Sequence, residues 1–132
     1  MAFAEAASHT ILVVEDDYFI ATDIATYLAE SGFEVLIANS ADGAIERIMS
    51  GHIIHLVFSD IQMPGSMDGI GLAKWMREHR PDIKLILTSG VINAANELRA
   101  LCDDGPIAKP YIRSFVAERI RHHLGDDSPT HL

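Results

Sequence analysis

A chain of 132 residues, 48% of them hydrophobic, is one domain long and apolar enough to bury a core, which excludes a disordered chain. Nineteen acidic residues against 10 basic ones give a net charge of −9, the wrong sign for wrapping a nucleic-acid backbone or docking on an anionic membrane. The lone Cys102 cannot staple the fold, residues 1–10 lack a signal-peptide pattern, and no apolar run reaches the ~20 residues of a membrane span, so a reducing, cytoplasmic setting is expected.

Strand-like and helix-like patterns alternate from Thr10 to Leu124. Thr10–Val14 is short, apolar and stopped by Glu15-Asp16-Asp17, which predicts a buried strand. A helical stripe of Ile20, Ile24, Tyr27 and Leu28 follows, ended by Gly32. Phe33–Ala38 reads as the second strand. Ser40 reads as the N-cap of a helix that buries Ala44, Ile45 and Ile48 and stops at Gly51. Ile53–Ser59 holds the third strand. Gly69–His79 is a helix with Leu72, Ala73 and Met76 inward; Asp68 is its expected cap and Pro81 bounds it. Ile83–Ser89 is the fourth strand, Asn93–Cys102 a short helix and Pro106–Ala108 a very short fifth strand. Tyr111–Leu124 is a closing helix expected to bury Ile112, Phe115, Val116 and Ile120.

Five βα units in a row imply an α/β fold with a doubly wound, five-stranded parallel sheet, helices on both faces. Order 2-1-3-4-5 makes the last strand an edge, where Pro106 is tolerated. Loops that follow parallel strands gather at the carboxyl edge, where open α/β sheets bind ligands. Glu15, Asp16, Asp60, Ser89 and Lys109 are therefore expected to converge there. Several carboxylates and one lysine in such a place point to a divalent-metal and phosphate site.

The ordered motifs Ile11-Leu12-Val13-Val14-Glu15-Asp16-Asp17, Asp60-Ile61-Gln62-Met63-Pro64-Gly65, Met67-Asp68-Gly69, Thr88-Ser89-Gly90 and Lys109-Pro110-Tyr111 resemble the response-regulator receiver domain. The resemblance covers Thr10–Leu124, nearly the whole chain, and five motifs in order are far more specific than any one. It implies the flavodoxin- and CheY-like fold. Residues 1–9 are then an amino-terminal extension, 10–124 the receiver domain and 125–132 a polar tail.

By this resemblance Asp60 is the phosphoacceptor, attacking phosphorus as a carboxylate nucleophile. Mg²⁺ is the implied cofactor. Asp16 matches its direct ligand, Asp60 a second, and Glu15 an acidic neighbour acting through metal-bound water. The backbone carbonyl of Gln62 completes the protein's share. Lys109 is expected to pair with Asp60 at rest and with a phosphoryl oxygen afterwards. A hydroxyl at the end of the fourth strand should contact the phosphoryl group. Thr88 and Ser89 are adjacent, and strand neighbours face opposite ways, so only one can serve. Ser89, followed by the small Gly90, fits better, with Thr88 the alternative. Asp17 is expected to cap a helix or lie at the surface. The seven histidines show no metal-ligand spacing and read as surface or strand-flanking residues.

Three departures from the family pattern stand out. Pro106 takes the place, three residues before the lysine, where many receivers carry an inward-turning aromatic. One extra residue, at Gly65-Ser66, widens the turn before Met67. A Ser-Gly pair, as in stand-alone regulators and hybrid-kinase receivers, follows Thr88. Gln62 and Val91 occupy the two positions that tune phosphoryl lifetime in the family, and an apolar Val91 implies slow autodephosphorylation.

The chain ends about eight residues after the last predicted helix, so the expectation is a single-domain response regulator. It would take a phosphoryl group from a histidine kinase or phosphotransfer protein. It would then signal to a downstream protein through the face of the fourth predicted helix, fifth strand and fifth helix, as a monomer or a phosphorylation-linked dimer. It would be no enzyme beyond assisting its own phosphotransfer and autodephosphorylation. Pro106 leaves an unphosphorylated pseudo-receiver scaffold as the alternative. A Mg²⁺-dependent phosphohydrolase would place a second aspartate where Gln62 stands, and a flavodoxin-like cofactor binder would need a phosphate loop where Glu15-Asp16-Asp17 would repel the phosphate.

Overall fold

A computed structural model describes residues 8–90 and 105–125. Five parallel strands form one sheet in the order β2-β1-β3-β4-β5. They are β1 (Thr10–Val14), β2 (Glu34–Ala38), β3 (Leu56–Asp60), β4 (Lys84–Ser89) and β5 (Ile107–Ala108). The helices among the described residues are α1 (Tyr18–Glu30), α2 (Ala41–Met49), α3 (Gly69–His79) and α4 (Arg113–His123). The helix expected over Asn93–Cys102 and the lifetime position Val91 lie outside the described residues.

Alternation along the strands builds two cores from one sheet. Ile11 and Val13 of β1, with Leu56 and Phe58 of β3, pack against Ile24 and Leu28 of α1 and Val116 and Ile120 of α4. Leu12 and Val14, with Val57, pack on the opposite face against Ala44 and Ile48 of α2 and Leu72 and Met76 of α3. Both faces are covered, which is why the strands carry no polar alternation. The register Val13↔Phe58 and Val14↔Ser59 brings the ends of β1 and β3 level.

Local chemistry sets the helix ends. Asp17 Oδ1 accepts from the N–H groups of Phe19 and Ile20 at 3.0 and 3.1 Å, satisfying two orphan donors of α1. Asp17→Ala should therefore cost about 1 kcal/mol, read as a lower urea midpoint, with the sheet edge intact. At the other end, Phe33 N donates to Leu28 O and Gly32 N to Ala29 O, each at 3.1 Å. This is a Schellman stop, with Gly32 at φ 106° supplying the left-handed residue. Ser40 and Asp68 cap α2 and α3, accepting from Gly43 N at 3.0 Å and Gly71 N at 2.9 Å.

Several expectations shift. The buried stripe of α1 is Ala21, Ile24, Ala25 and Leu28, so Ile20 gives its place to Ala21. β3 begins at Leu56 and includes Asp60, while Ile53 is exposed in the preceding loop. β5 omits Pro106. Ile112 is 71% exposed because it is the extended N-cap residue of α4, outside the helix proper. Phe115, 45% exposed, lies under the Arg119 guanidinium at 5.1 Å; Val116, Ala117 and Ile120 form the buried face. Trp75 packs at the edge of the α2–α3 core and stacks on His79 at 4.6 Å.

Candidate functional site

Glu15 follows Val13 by two residues, and Asp60 follows Phe58 by two, so both carboxylates share the α1–α4 side of the sheet. Lys109 follows Ile107 in the same way. The three side chains meet. Lys109 Nζ donates to Asp60 Oδ2 at 3.1 Å and to Glu15 Oε1 at 3.3 Å. Glu15 and Asp60 are only 5% and 4% exposed. The bond from Lys109 to Glu15 had no signal in the sequence, since nothing in spacing joins residues 94 positions apart. The Lys109–Pro110 peptide is cis.

Backbone contacts fix this geometry. Asp17 N donates to Glu15 Oε2 at 3.1 Å, and Gln62 N to Asp60 Oδ1 at 3.3 Å. Gly69 N donates to Ile61 O at 2.9 Å, drawing the first residue of α3 against the loop that carries Asp60. Gly65, at φ 110°, turns the widened segment before Met67, and Ser66 Oγ donates to Asp42 Oδ2 at 3.2 Å.

Burial pushes the Glu15 carboxyl above its usual range; the Asp60 charge adds to this, against the Asp17 N–H and the Lys109 ammonium. Burial alone would lower the Lys109 pKa. The hydrogen bond to Asp60 and the charges of Asp60 and Glu15 outweigh it and hold the pKa above the usual lysine value. Tyr111 stacks edge-on against Phe58 at 5.6 Å, and burial pushes its phenol up to about 12, so it stays neutral.

Asp16, exposed, completes an acidic group with Glu15 and Asp60, in which one carboxylate oxygen from each residue lies within 4.8 Å of the other two. Among the described residues, three carboxylates facing one ammonium leave the site net negative. Hard oxygen donors in that number suit Mg²⁺ or Ca²⁺ rather than a soft metal. The group can hold such an ion.

The two candidate hydroxyls point to different partners. Thr88 Oγ1 donates to Ile107 O at 2.8 Å, tying β4 to β5. Ser89 Oγ donates to Gln62 Oε1 at 3.0 Å, towards the loop after Asp60. Four of the histidines gather elsewhere: His9, His52, His55 and His123 line a cleft together with Arg80 and Lys84. His55 Nδ1 there accepts from Thr10 N at 3.0 Å. Among the described residues no helix is long and apolar enough to cross a membrane.

Known proteins resemble this chain in sequence and fold. The family model of the response regulator receiver domain matches residues 11–121. Transcriptional regulatory protein AruR of Pseudomonas aeruginosa is 37% identical over 90% of this chain and 53% of its own length. Sensor kinase CckA of Brucella abortus is 32% identical over 89% of this chain but only 13% of its own length. The chain spans about half the length of the regulator and a small part of the kinase. Among solved structures, a CheY-like receiver domain protein from Methanospirillum hungatei aligns with a TM-score of 0.82 at 28% identity, over 91% of this chain and 96% of that one. Response regulator TrrA from Thermotoga maritima, solved with Mg²⁺ and beryllofluoride, aligns with a TM-score of 0.78 at 28% identity, over 86% and 97%. The sheet order, the acidic group facing a lysine at its carboxyl edge and the match over residues 11–121 place this chain in the response regulator receiver domain family of two-component systems.

Proposed function

We propose that the chain accepts a phosphoryl group on Asp60 in a Mg²⁺-dependent reaction, as a single-domain response regulator, and signals by altered protein–protein contact. The observation that carries this reading is the buried Asp60 carboxylate, held at 3.1 Å from Lys109 Nζ inside a net-negative oxygen cluster. Asp60 Oδ attacks phosphorus, the bond to the donor's leaving group breaks, and an acyl phosphate forms. Lys109 orients the nucleophile at rest and then pairs with a phosphoryl oxygen as a mobile point charge. Ser89 supplies a hydrogen bond to a second oxygen; Thr88 is committed to Ile107.

Asp16, Asp60, Glu15 and the Gln62 carbonyl would hold Mg²⁺. When bound, the ion supplies positive charge that offsets repulsion between the carboxylate and the phosphoryl oxygens. The phosphodonor would be a histidine kinase or phosphotransfer protein. A donor reaching Asp60 would pass the rim of Phe19, Ile20, Pro110 and Tyr111 beside Lys109. The downstream partner would bind the face that contains β5 and α4. The expected location is the cytoplasm, and no turnover of external phosphate esters is expected.

Intact mass after incubation with acetyl phosphate tests the reading. One phosphoryl group should be gained with Mg²⁺ and none by Asp60→Asn. A gain by Asp60→Asn equal to wild type would refute it.

A further inference from the structure

A serine hydroxyl has one proton and so makes one donation at a time. In this structure that proton goes to Gln62 Oε1, 3.0 Å from Ser89 Oγ. Gln62 reaches both parts of the site. Its backbone N–H donates to Asp60 Oδ1 at 3.3 Å while its side chain engages the hydroxyl at the end of β4. The Ser89 main chain is also held, because its carbonyl accepts from Lys109 N at 2.9 Å. Ser89 can therefore donate to an oxygen on Asp60 only by withdrawing its proton from Gln62.

We propose that the Gln62 carboxamide is a positioning residue that latches the Ser89 hydroxyl in the resting state, so that phosphorylation of Asp60 must break this hydrogen bond. The inference rests on Asp60 as the acceptor and Ser89 as the phosphoryl-contacting hydroxyl. It assigns the Gln62 side chain a task separate from that of its backbone carbonyl. The latch opposes activation, and its strength sets part of the balance between the two states. Gln62 is exposed, so water competes for its oxygen and the effect is moderate.

Titration of the full chain with beryllofluoride in the presence of Mg²⁺, read by backbone amide NMR, tests the latch. Gln62→Met keeps the backbone carbonyl and side-chain length but removes the acceptor. It should bind beryllofluoride about two- to fivefold more tightly than wild type, the equivalent of one partly solvated hydrogen bond. In ligand-free Gln62→Met, the Ser89 amide should already move towards its bound position. With Ser89→Ala in place, the same substitution should change affinity by less than about 1.5-fold, since no proton remains to be released. Unchanged affinity for Gln62→Met, or an equal gain in the Ser89→Ala background, would overturn the latch while leaving Asp60 as acceptor. Failure of wild type to bind beryllofluoride would overturn the reading beneath it and the latch with it.

Discussion

Gly69→Ala should lower stability by about 3 kcal/mol, a fall of roughly 10–20 °C in the unfolding midpoint followed by circular dichroism. A Cβ at this position would lie 2.3 Å from Asp60 O and 2.7 Å from Ile61 Cα. Both are backbone atoms of the segment that carries the nucleophile, so no rotamer change relieves the clash. Either α3 moves outward, losing the Gly69 N to Ile61 O bond, or the end of β3 shifts. The second course displaces the Asp60 carboxylate, and a misplacement of about 1 Å is worth about 100-fold in rate. Gly71→Ala is the control. There the nearest atom is Met67 Cγ at 2.7 Å, part of a flexible side chain, and the change should stay within about 1 kcal/mol. Equal stability of the two variants would contradict this account of how α3 seats the site.

Lys109→Ala should slow labelling by acetyl phosphate by about 100-fold or more, the usual cost of removing one preorganised charge from a transition state. At rest the variant leaves Glu15 and Asp60, both buried, without their shared cation. The site becomes more negative, so affinity for Mg²⁺ should hold or rise while labelling collapses. These opposite signs separate loss of chemistry from loss of fold, which would lower both. Lys109→Arg should recover only part of the rate, since a planar fork does not make the same exchange between carboxylate and phosphoryl oxygens. Labelling of Lys109→Ala at the wild-type rate would contradict the role given to the ammonium.

The sheet was legible because both cores print on the strands. Ile11-Leu12-Val13-Val14 is apolar at every position, which only a strand covered on two faces requires. α3 was legible to the residue, with Asp68 to cap it and Pro81 beyond its end. The closing helix was harder. An apolar residue on the expected stripe does not say whether the helix has begun, and Ile112 precedes it; nor does it say whether a cation covers the ring, as Arg119 covers Phe115.

At the site, residue types at strand ends told which groups gather, because parallel topology sends every such loop to one edge. Beyond the Lys109–Asp60 pair, which the family resemblance implied, contacts between side chains were not legible. Alternation left Thr88 and Ser89 open, and only three-dimensional placement sends one to Ile107 and the other to Gln62. The close approach of Gly69 to Asp60 had no signature either, since a glycine after an aspartate cap looks like any helix start.

Borohydride reduction of the protein treated with acetyl phosphate, followed by peptide mass mapping, tests the central claim most directly. An acyl phosphate on Asp60 is reduced to homoserine, whereas unmodified carboxylates are untouched. The account predicts conversion at Asp60 alone, dependent on Mg²⁺ and weakened by Asp16→Ala. Conversion at a different carboxylate, or at Asp60 to the same extent after chelation of divalent ions, would contradict it.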